Sequence, residues 1–428
     1  MTLHVKSATS LKGKVALPAS KSYSIRAFII ASSGGRSIIK NTSNCDDAIV
    51  SIKVASLLGS KVIKQKNNVW KVDASRVKNI SCKIDVGESG TVLRFLLPIA
   101  SLSSQKISIV GKGTLCGRPN LHLTNVLRKM GINIKGAGKK DSVPISLNGG
   151  ELKGGKISID GTLSSQFISA LLIVAPKLKE NTNIFLTGKK LVSSDYIAMT
   201  LQVLKLSGIK ITKRNSRNYY VQGNQKFNGL KNFVVPSDYG LAAFLMAAAT
   251  LIKSDIILEG RFNDKLIQAD GHILRILKKM GVKFTKTSQS IKIKGPFKLK
   301  GGEFSLKDCP DLVPIVSVLA LFASGKTRLY DIGHVRAKES DRISDLRKEL
   351  LKVGAKVSEK KNELVIYPQK EYKEDCVFNP HNDHRLAMSF AVLGLKLGSR
   401  VENIECSSKS YPGFVRDFKA IGAKTKSK

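Results

Sequence analysis

The sequence predicts an α/β protein of two domains, each assembled from three similar units. Three observations predict it. The chain has 428 residues, more than one hydrophobic core organises, so two domains are the expected division. A helix–glycine–strand junction recurs six times at nearly constant spacing. A second, more apolar helix recurs with the same period.

The junctions, in chain order, are Ser56-Leu57-Leu58-Gly59-Ser60-Lys61-Val62, Lys129-Met130-Gly131-Ile132-Asn133-Ile134, and Leu206-Ser207-Gly208-Ile209-Lys210-Ile211. Then come Lys279-Met280-Gly281-Val282-Lys283-Phe284, Lys352-Val353-Gly354-Ala355-Lys356-Val357, and Ala420-Ile421-Gly422-Ala423-Lys424. Gaps between the glycines are 72, 77, 73, 73 and 68 residues. Glycine closes a helix cheaply in the left-handed conformation, and alternating apolar residues then open a strand. One such junction is commonplace; six in register mark an internal repeat.

The second element is a short apolar helix, predicted to start near Ser22, Gly90, Ser164, Asp238, Asp311 and His384. Most have a polar opening turn and an Ala/Leu/Ile-rich body, as in Ser165-Gln166-Phe167-Ile168-Ser169-Ala170-Leu171-Leu172. A helix apolar nearly all round has to be buried. Each unit therefore holds one amphipathic helix, one buried helix and several strands, and three units enclose their buried helices to make a domain. Helix N-termini attract phosphate and carboxylate through free N–H groups and the helix dipole. The polar residues at these openings are Lys21, Ser22, Arg26, Gly90, Ser164, Ser165, Gln166, Asp311, His384 and Arg385. Aligned helices would turn them into a binding face for small polyanions.

Composition removes several classes. Mean hydropathy is −0.06, and the apolar run Ala242–Ile252 is too short to span a bilayer. The N-terminal Met1-Thr2-Leu3-His4-Val5-Lys6 lacks the apolar core of a signal peptide, and a cytoplasmic location is expected. The six cysteines, Cys45, Cys82, Cys116, Cys309, Cys376 and Cys406, have no metal-ligand spacing and suit a reducing compartment. No metal site is expected. A net charge of +40 raises the question of nucleic acid. The lysines are spread along the chain, however, and aromatics are only 6% with no stacking motif. Solvated surface lysines, with no nucleic-acid partner, are the reading adopted, and the field they create draws in small anions.

The opening Leu17-Pro18-Ala19-Ser20-Lys21-Ser22-Tyr23-Ser24-Ile25-Arg26-Ala27 resembles the first signature of the enolpyruvyl transferase family. Further motifs follow in family order: Gly87-Glu88-Ser89-Gly90-Thr91-Val92-Leu93-Arg94, Gly117-Arg118-Pro119 and Ser164-Ser165-Gln166-Phe167. Beyond these lie Asp308-Cys309-Pro310-Asp311, Arg336-Ala337-Lys338-Glu339-Ser340-Asp341-Arg342, Asn382-Asp383-His384-Arg385-Leu386-Ala387-Met388 and Ser408-Lys409-Ser410-Tyr411-Pro412. The likeness covers essentially the whole chain and is nearest to the 3-phosphoshikimate 1-carboxyvinyltransferase (EPSP synthase) branch.

That resemblance implies a two-domain inside-out α/β barrel of six βαβαββ units, three per domain, with the active site in the interdomain cleft. It implies a discontinuous domain of residues 1–19 and 236–428 and a continuous one of 20–235, with prolines at both crossings. It implies transfer of the enolpyruvyl group of phosphoenolpyruvate to the 5-hydroxyl of shikimate 3-phosphate in aromatic amino-acid biosynthesis, with no cofactor. A monomer is expected. By the same resemblance, Lys21, Ser22, Arg26, Ser164, Ser165, Gln166, Ser193, Tyr196, Asp311 and Lys338 meet shikimate 3-phosphate. Lys21, Gly90, Arg118, Gln166, Arg342, Arg385 and Lys409 meet phosphoenolpyruvate. Asp311 takes the 5-hydroxyl proton, Glu339 serves the methylene carbon, and Lys21 and Lys409 stabilise departing phosphate. Arginine suits this work because its planar fork pairs with carboxylate or phosphate oxygens two at a time. Cationic walls on both domains, Arg94 among them, are expected to repel until a dianion draws them closed.

Taken singly, these residues have plainer readings. Asp311 before an apolar run suits a helix N-cap, Glu339 and Arg342 a surface i,i+3 pair, and His384 a core histidine. Departures from the family pattern are Glu88, where many relatives have Asn, and Pro236-Ser237-Asp238-Tyr239-Gly240-Leu241, which replaces Gly-Asp-x-Ser-Ser. His334 stands where Asn is frequent. The nearest rival is UDP-N-acetylglucosamine 1-carboxyvinyltransferase, which has a loop Cys before its Arg-Pro motif. Cys116 lies closer to Arg118 than that pattern, and Lys21-Ser22 replaces its Lys-Asn. A basic nucleic-acid-binding protein is the alternative from another class.

Overall fold

A computed structural model describes residues 1–76 and 80–428. The chain divides into two units, Met1–Pro18 with Pro236–Lys428, and Ala19–Val235. Twelve α-helices occur among the described residues. In the Ala19–Val235 unit they are α1 (Lys21–Ala31), α2 (Asp46–Leu57), α3 (Gly90–Ala100), α4 (Leu121–Lys129), α5 (Ser165–Val174) and α6 (Ser194–Leu206). The other unit holds α7 (Tyr239–Leu251), α8 (His272–Lys279), α9 (Val313–Leu321), α10 (Ser344–Leu351), α11 (His384–Leu397) and α12 (Phe414–Ala420).

Odd- and even-numbered helices differ in kind, as the apolar patterning requires. All thirteen residues of α7 and all nine of α9 are buried, whereas α8 buries only Ile273, Ile276 and Leu277. Within one unit α3 packs on α1 and α5; within the other α7, α9 and α11 pack on one another. A buried leucine of such a helix, replaced by alanine, costs about 2–5 kcal/mol.

Among the described residues are six four-stranded sheets, three in each unit, all with one pairing pattern. Gly155–Asp160 runs parallel to Thr182–Thr187, which pairs antiparallel with Asn218–Val221, itself antiparallel to Ile211–Asn215. The parallel pair needs a helical crossover and the antiparallel pair only a turn. Each repeat therefore places one helix inside and one outside. All six junction glycines, Gly59, Gly131, Gly208, Gly281, Gly354 and Gly422, have φ between 78° and 99°, the conformation that a side chain disfavours.

Sheet pairing also explains why the first residues join the C-terminal half. Leu3–Val5 lies antiparallel between Ser399–Val401 and Thr425–Ser427, and Ser10–Ala16 runs parallel to Lys253–Glu259. Phe233–Val234 in turn closes the other unit against Arg36–Lys40.

Candidate active site

Five of the six buried helices are capped by a side chain at the N-terminus. Ser20, Ser89, Ser164, Asp238 and Asp383 accept from the backbone N–H of Tyr23, Val92, Gln166, Leu241 and Arg385. The sixth is different. Asp311 precedes α9 within the 3-10 turn Pro310–Leu312, but Leu312 occupies the cap position and no side chain caps that helix. The carboxylate is engaged elsewhere, so the N-cap reading fails.

Asp311 faces three cations. Its Oδ1 accepts from Arg342 Nη1 at 2.8 Å and Lys338 Nζ at 3.5 Å, and its Oδ2 from Arg385 Nη2 at 3.2 Å. Burial works to raise the carboxyl, but Lys338, Arg385 and Arg342 together hold it well below the usual carboxylate range. Arg342, 1% exposed, also donates to Glu339 Oε2 at 2.9 Å and to both oxygens of Asp383 at 2.7 and 3.2 Å. Burial opposes its charge, yet Asp383, Glu339 and Asp311 hold the guanidinium well above its ordinary value. Glu339 and Arg342 are no helix surface pair: α10 starts only at Ser344, Arg342 is buried, and the Glu339 side chain is only 9% exposed.

The same unit carries the other predicted groups of its set. Arg385, the second residue of α11, also donates from Nη1 to Gly240 O at 2.9 Å. The N-termini of α7, α9 and α11 thus converge on one guanidinium. His384 is buried beside it, and Lys409 ends the 3-10 turn Ile404–Lys409, also buried. The imidazole of His334 lies within the influence of Lys338 and Asp311, and neither ring nitrogen has a hydrogen-bond partner. Burial first, then Lys338, pushes it down to about 3, so it is neutral.

The Ala19–Val235 unit carries a second cluster. Lys21, the first residue of α1, pairs with Asp47 Oδ2 at 3.1 Å. Arg26 is buried and donates to Thr200 Oγ1 at 2.9 Å and to the carbonyls of Ser22 and Tyr196, each at 3.0 Å. Burial pulls it down to about 10, partly offset by Tyr196 and Tyr23. Gln166 bridges α3 and α5: its Oε1 accepts from Arg94 and its Nε2 donates to Thr91 Oγ1 at 2.9 Å. Ser165 opens α5. Ser193 takes the left-handed conformation, φ 56°, immediately before α6, and its hydroxyl makes no capping bond.

Gly90 opens α3, and a Cβ there would lie 2.6 Å from Arg118 Nη1 and 2.9 Å from its Cζ. The space that glycine leaves is filled by the guanidinium of Arg118, another predicted phosphoenolpyruvate ligand. The Arg118 carbonyl is pinned by Asn120 Nδ2 at 3.2 Å and Ser142 Oγ at 3.1 Å. Glu88 accepts from Thr114 in the turn that leads to Arg118, a supporting role. Sequence reasoning did not single out Asp47, Asp270 or Asp383. Asp383 had a signal, a capping-type residue one position before an apolar helix; Asp47 had none, because its partner is 26 residues away.

Six repeats of one α/β unit, with buried helix N-termini bearing clustered cations, define an enolpyruvyl transferase architecture. The chain aligns with EPSP synthase from Acinetobacter baumannii with a TM-score of 0.80 at 24% identity, covering 99% of both chains. It aligns with the enolpyruvyl transferase NikO from Streptomyces tendae with a TM-score of 0.79 at 16% identity, covering 99% of this chain and 98% of that one. These likenesses establish the fold. The chain belongs to the EPSP synthase (3-phosphoshikimate 1-carboxyvinyltransferase) family, whose model matches residues 5–418. Relatives named 3-phosphoshikimate 1-carboxyvinyltransferase are 38% identical in Methanocaldococcus jannaschii, covering 98% of each chain, and 35% identical in Methanococcus maripaludis, covering 98% of this chain and 99% of the relative.

No helix among the described residues is long and apolar enough to cross a membrane, and no group of three or more His, Cys, Asp or Glu among them is placed to hold a metal ion.

Proposed function

We propose that the chain transfers the enolpyruvyl group of phosphoenolpyruvate to the 5-hydroxyl of shikimate 3-phosphate and releases phosphate. It does so as a cytoplasmic monomer without a cofactor. Family membership supports the reaction. The observation that carries the residue assignment is the uncapped α9, whose Asp311 is given over to Lys338, Arg342 and Arg385.

A carboxylate held by three cations is a poor base. Phosphoenolpyruvate changes that. Its own carboxylate and phosphate engage Arg342 and Arg385, so Asp311 loses two of its partners as the donor arrives. The carboxylate then regains basicity and takes the proton from the 5-hydroxyl as that oxygen attacks C2 of phosphoenolpyruvate. Glu339, on the same guanidinium, supplies the proton that C3 gains. The tetrahedral adduct then loses a C3 proton back to Glu339 and expels phosphate, whose charge Lys21 and Lys409 meet. Asp311 passes the 5-hydroxyl proton on to the departing phosphate, which leaves as hydrogen phosphate; both carboxyl groups thereby return to their starting states, and no electrons are exchanged.

Arg118 and Gly90 complete the phosphoenolpyruvate set, and Gln166 touches both substrates. Ser22, Arg26, Ser164, Ser165, Ser193, Tyr196 and Lys338 hold shikimate 3-phosphate. The Arg26–Tyr196–Thr200 network suits a dianion, because that arginine is held by a hydroxyl and two carbonyls rather than by an acid that the substrate would have to displace.

Mixing the protein with phosphoenolpyruvate and either acceptor tests the reading. Phosphate is expected to appear with shikimate 3-phosphate and not with UDP-N-acetylglucosamine. Release with the nucleotide sugar alone, or with neither, overturns it.

A further inference from the structure

The departure at Gly240, where the family pattern has a serine, has a structural counterpart. A Cβ on Gly240 would lie 2.4 Å from Asp270 Oδ2 and 3.0 Å from Arg385 Nη1. Real Cβ atoms essentially never come under 3.0 Å of a heavy atom, so a side chain here would expel the Asp270 carboxylate and crowd the Arg385 guanidinium; its absence lets an acid and a guanidinium approach one point. Asp270 is 7% exposed and Arg385 2%. The segment carrying Asp270 is latched to the same helix start: Gln268 Nε2 donates to Ser237 O at 2.9 Å, and Tyr239 N–H to Gln268 Oε1 at 3.3 Å.

Arg385 is thereby seated on several sides, by Asp311 at Nη2, by the Gly240 carbonyl at Nη1, and by the ring of Phe244 at 5.9 Å. The Asp311 contact is the one that phosphoenolpyruvate disrupts in the mechanism above. A guanidinium that exchanges partners needs a fixed point that does not exchange. We propose that Asp270, reaching Arg385 through the gap left by Gly240, is that fixed point: a positioning residue that holds the guanidinium in its phosphoenolpyruvate-binding pose. The inference rests on the assignment of Arg385 to phosphoenolpyruvate.

Two readouts test it. Asp270→Asn keeps the shape and removes the charge. The KM for phosphoenolpyruvate is expected to rise about tenfold, with kcat and the KM for shikimate 3-phosphate within about threefold of the parent. Gly240→Ala is expected to do the same, and in an Asp270→Ala background to add less than about twofold, because the two changes act on one contact. Independently of turnover, phenylglyoxal modification mapped by mass spectrometry is expected to reach Arg385 at least about threefold faster in Asp270→Asn, since a buried side chain freed of one partner samples open poses.

An unchanged phosphoenolpyruvate KM in Asp270→Asn and Gly240→Ala, with a raised one in Arg385→Ala, overturns the inference and leaves the transferase reading intact. If Arg385→Ala itself leaves that KM unchanged, the assignment of Arg385 falls. The modification rate then decides alone, and equal rates overturn the seat. A general loss of kcat and melting temperature in both variants also overturns it, in favour of a purely structural role.

Discussion

Replacing Asp383 with asparagine isolates the electrostatics of the Arg342 cluster. Asp383 is wholly buried, and it accepts from Arg342 at 2.7 and 3.2 Å, from the Arg385 N–H at 2.9 Å and from Ser340 Oγ at 3.2 Å. Asparagine caps a helix about as well as aspartate, so the bond to Arg385 N–H survives. The loss is the buried ion pair, and an amide NH2 turned toward a guanidinium. Breaking a buried pair costs about 3–5 kcal/mol. Arg342 keeps Asp311 and Glu339, which places the expected loss at the low end, about 3 kcal/mol. For a unit of this size each kcal/mol moves the midpoint by about 2–4 °C, so the transition of the unit containing residues 236–428 should fall by about 6–12 °C. Differential scanning calorimetry reads this directly. Glu405→Gln is the control: that ion pair with the N-terminus is just as short at 2.9 Å but about half exposed, worth less than about 1 kcal/mol. An Asp383→Asn protein melting within about 2 °C of the parent would refute the claim that burial makes the pair matter.

Four further outcomes are expected. Glu339→Gln should lower turnover about 10²–10⁴-fold with modest change in substrate binding; normal turnover in a single-turnover assay rejects the proton role. Gly90→Ala displaces the Arg118 guanidinium, and steady-state kinetics should show the phosphoenolpyruvate KM raised about 10–100-fold; an unchanged KM removes Arg118 from that substrate. His334, pushed down to about 3 in the fold, refuses the proton that an unfolded histidine takes near pH 6.5. The unfolded chain therefore binds more protons between about pH 6.5 and 3, and stability drops as pH falls through that window. His334→Asn should flatten the decline of the urea midpoint there, and an unaltered slope counts against it. Finally, Cys116 is exposed, and its alkylation by iodoacetamide should leave phosphate release intact; full loss would favour the UDP-N-acetylglucosamine chemistry.

What the sequence revealed follows the range of the forces involved. Gly59 through Gly422 announce six units because a positive φ is a local demand, satisfied within one turn of chain. The buried helices are equally local, each apolar all round and most opened by a capping residue. Partnerships across the fold are not written this way. Nothing near Lys21 points to Asp47, and nothing near Arg385 points to the approach of Asp270 at Gly240, since each is brought about by packing of separate elements. Gly90 shows the intermediate case. The family resemblance assigns it to phosphoenolpyruvate, whereas the atoms that bar a side chain belong to Arg118. Asp311 is ambiguous for a different reason: an acid before an apolar helix reads as a cap, and only the uncapped geometry at Leu312 separates the two.

The pairing of Leu3–Val5 between Ser399–Val401 and Thr425–Ser427 has a consequence for biogenesis. On the ribosome, Leu3–Val5 emerges long before Ser399–Val401 and Thr425–Ser427 and must wait for both. The segment from Ala19 to Val235 needs no such delay and can assemble while synthesis continues. Until those strands arrive, Leu3–Val5 is bare on both sides and able to recruit a neighbouring molecule. Deleting Leu3–Val5 strips that sheet of an inner strand, and deleting Thr425–Ser427 strips it of its rim.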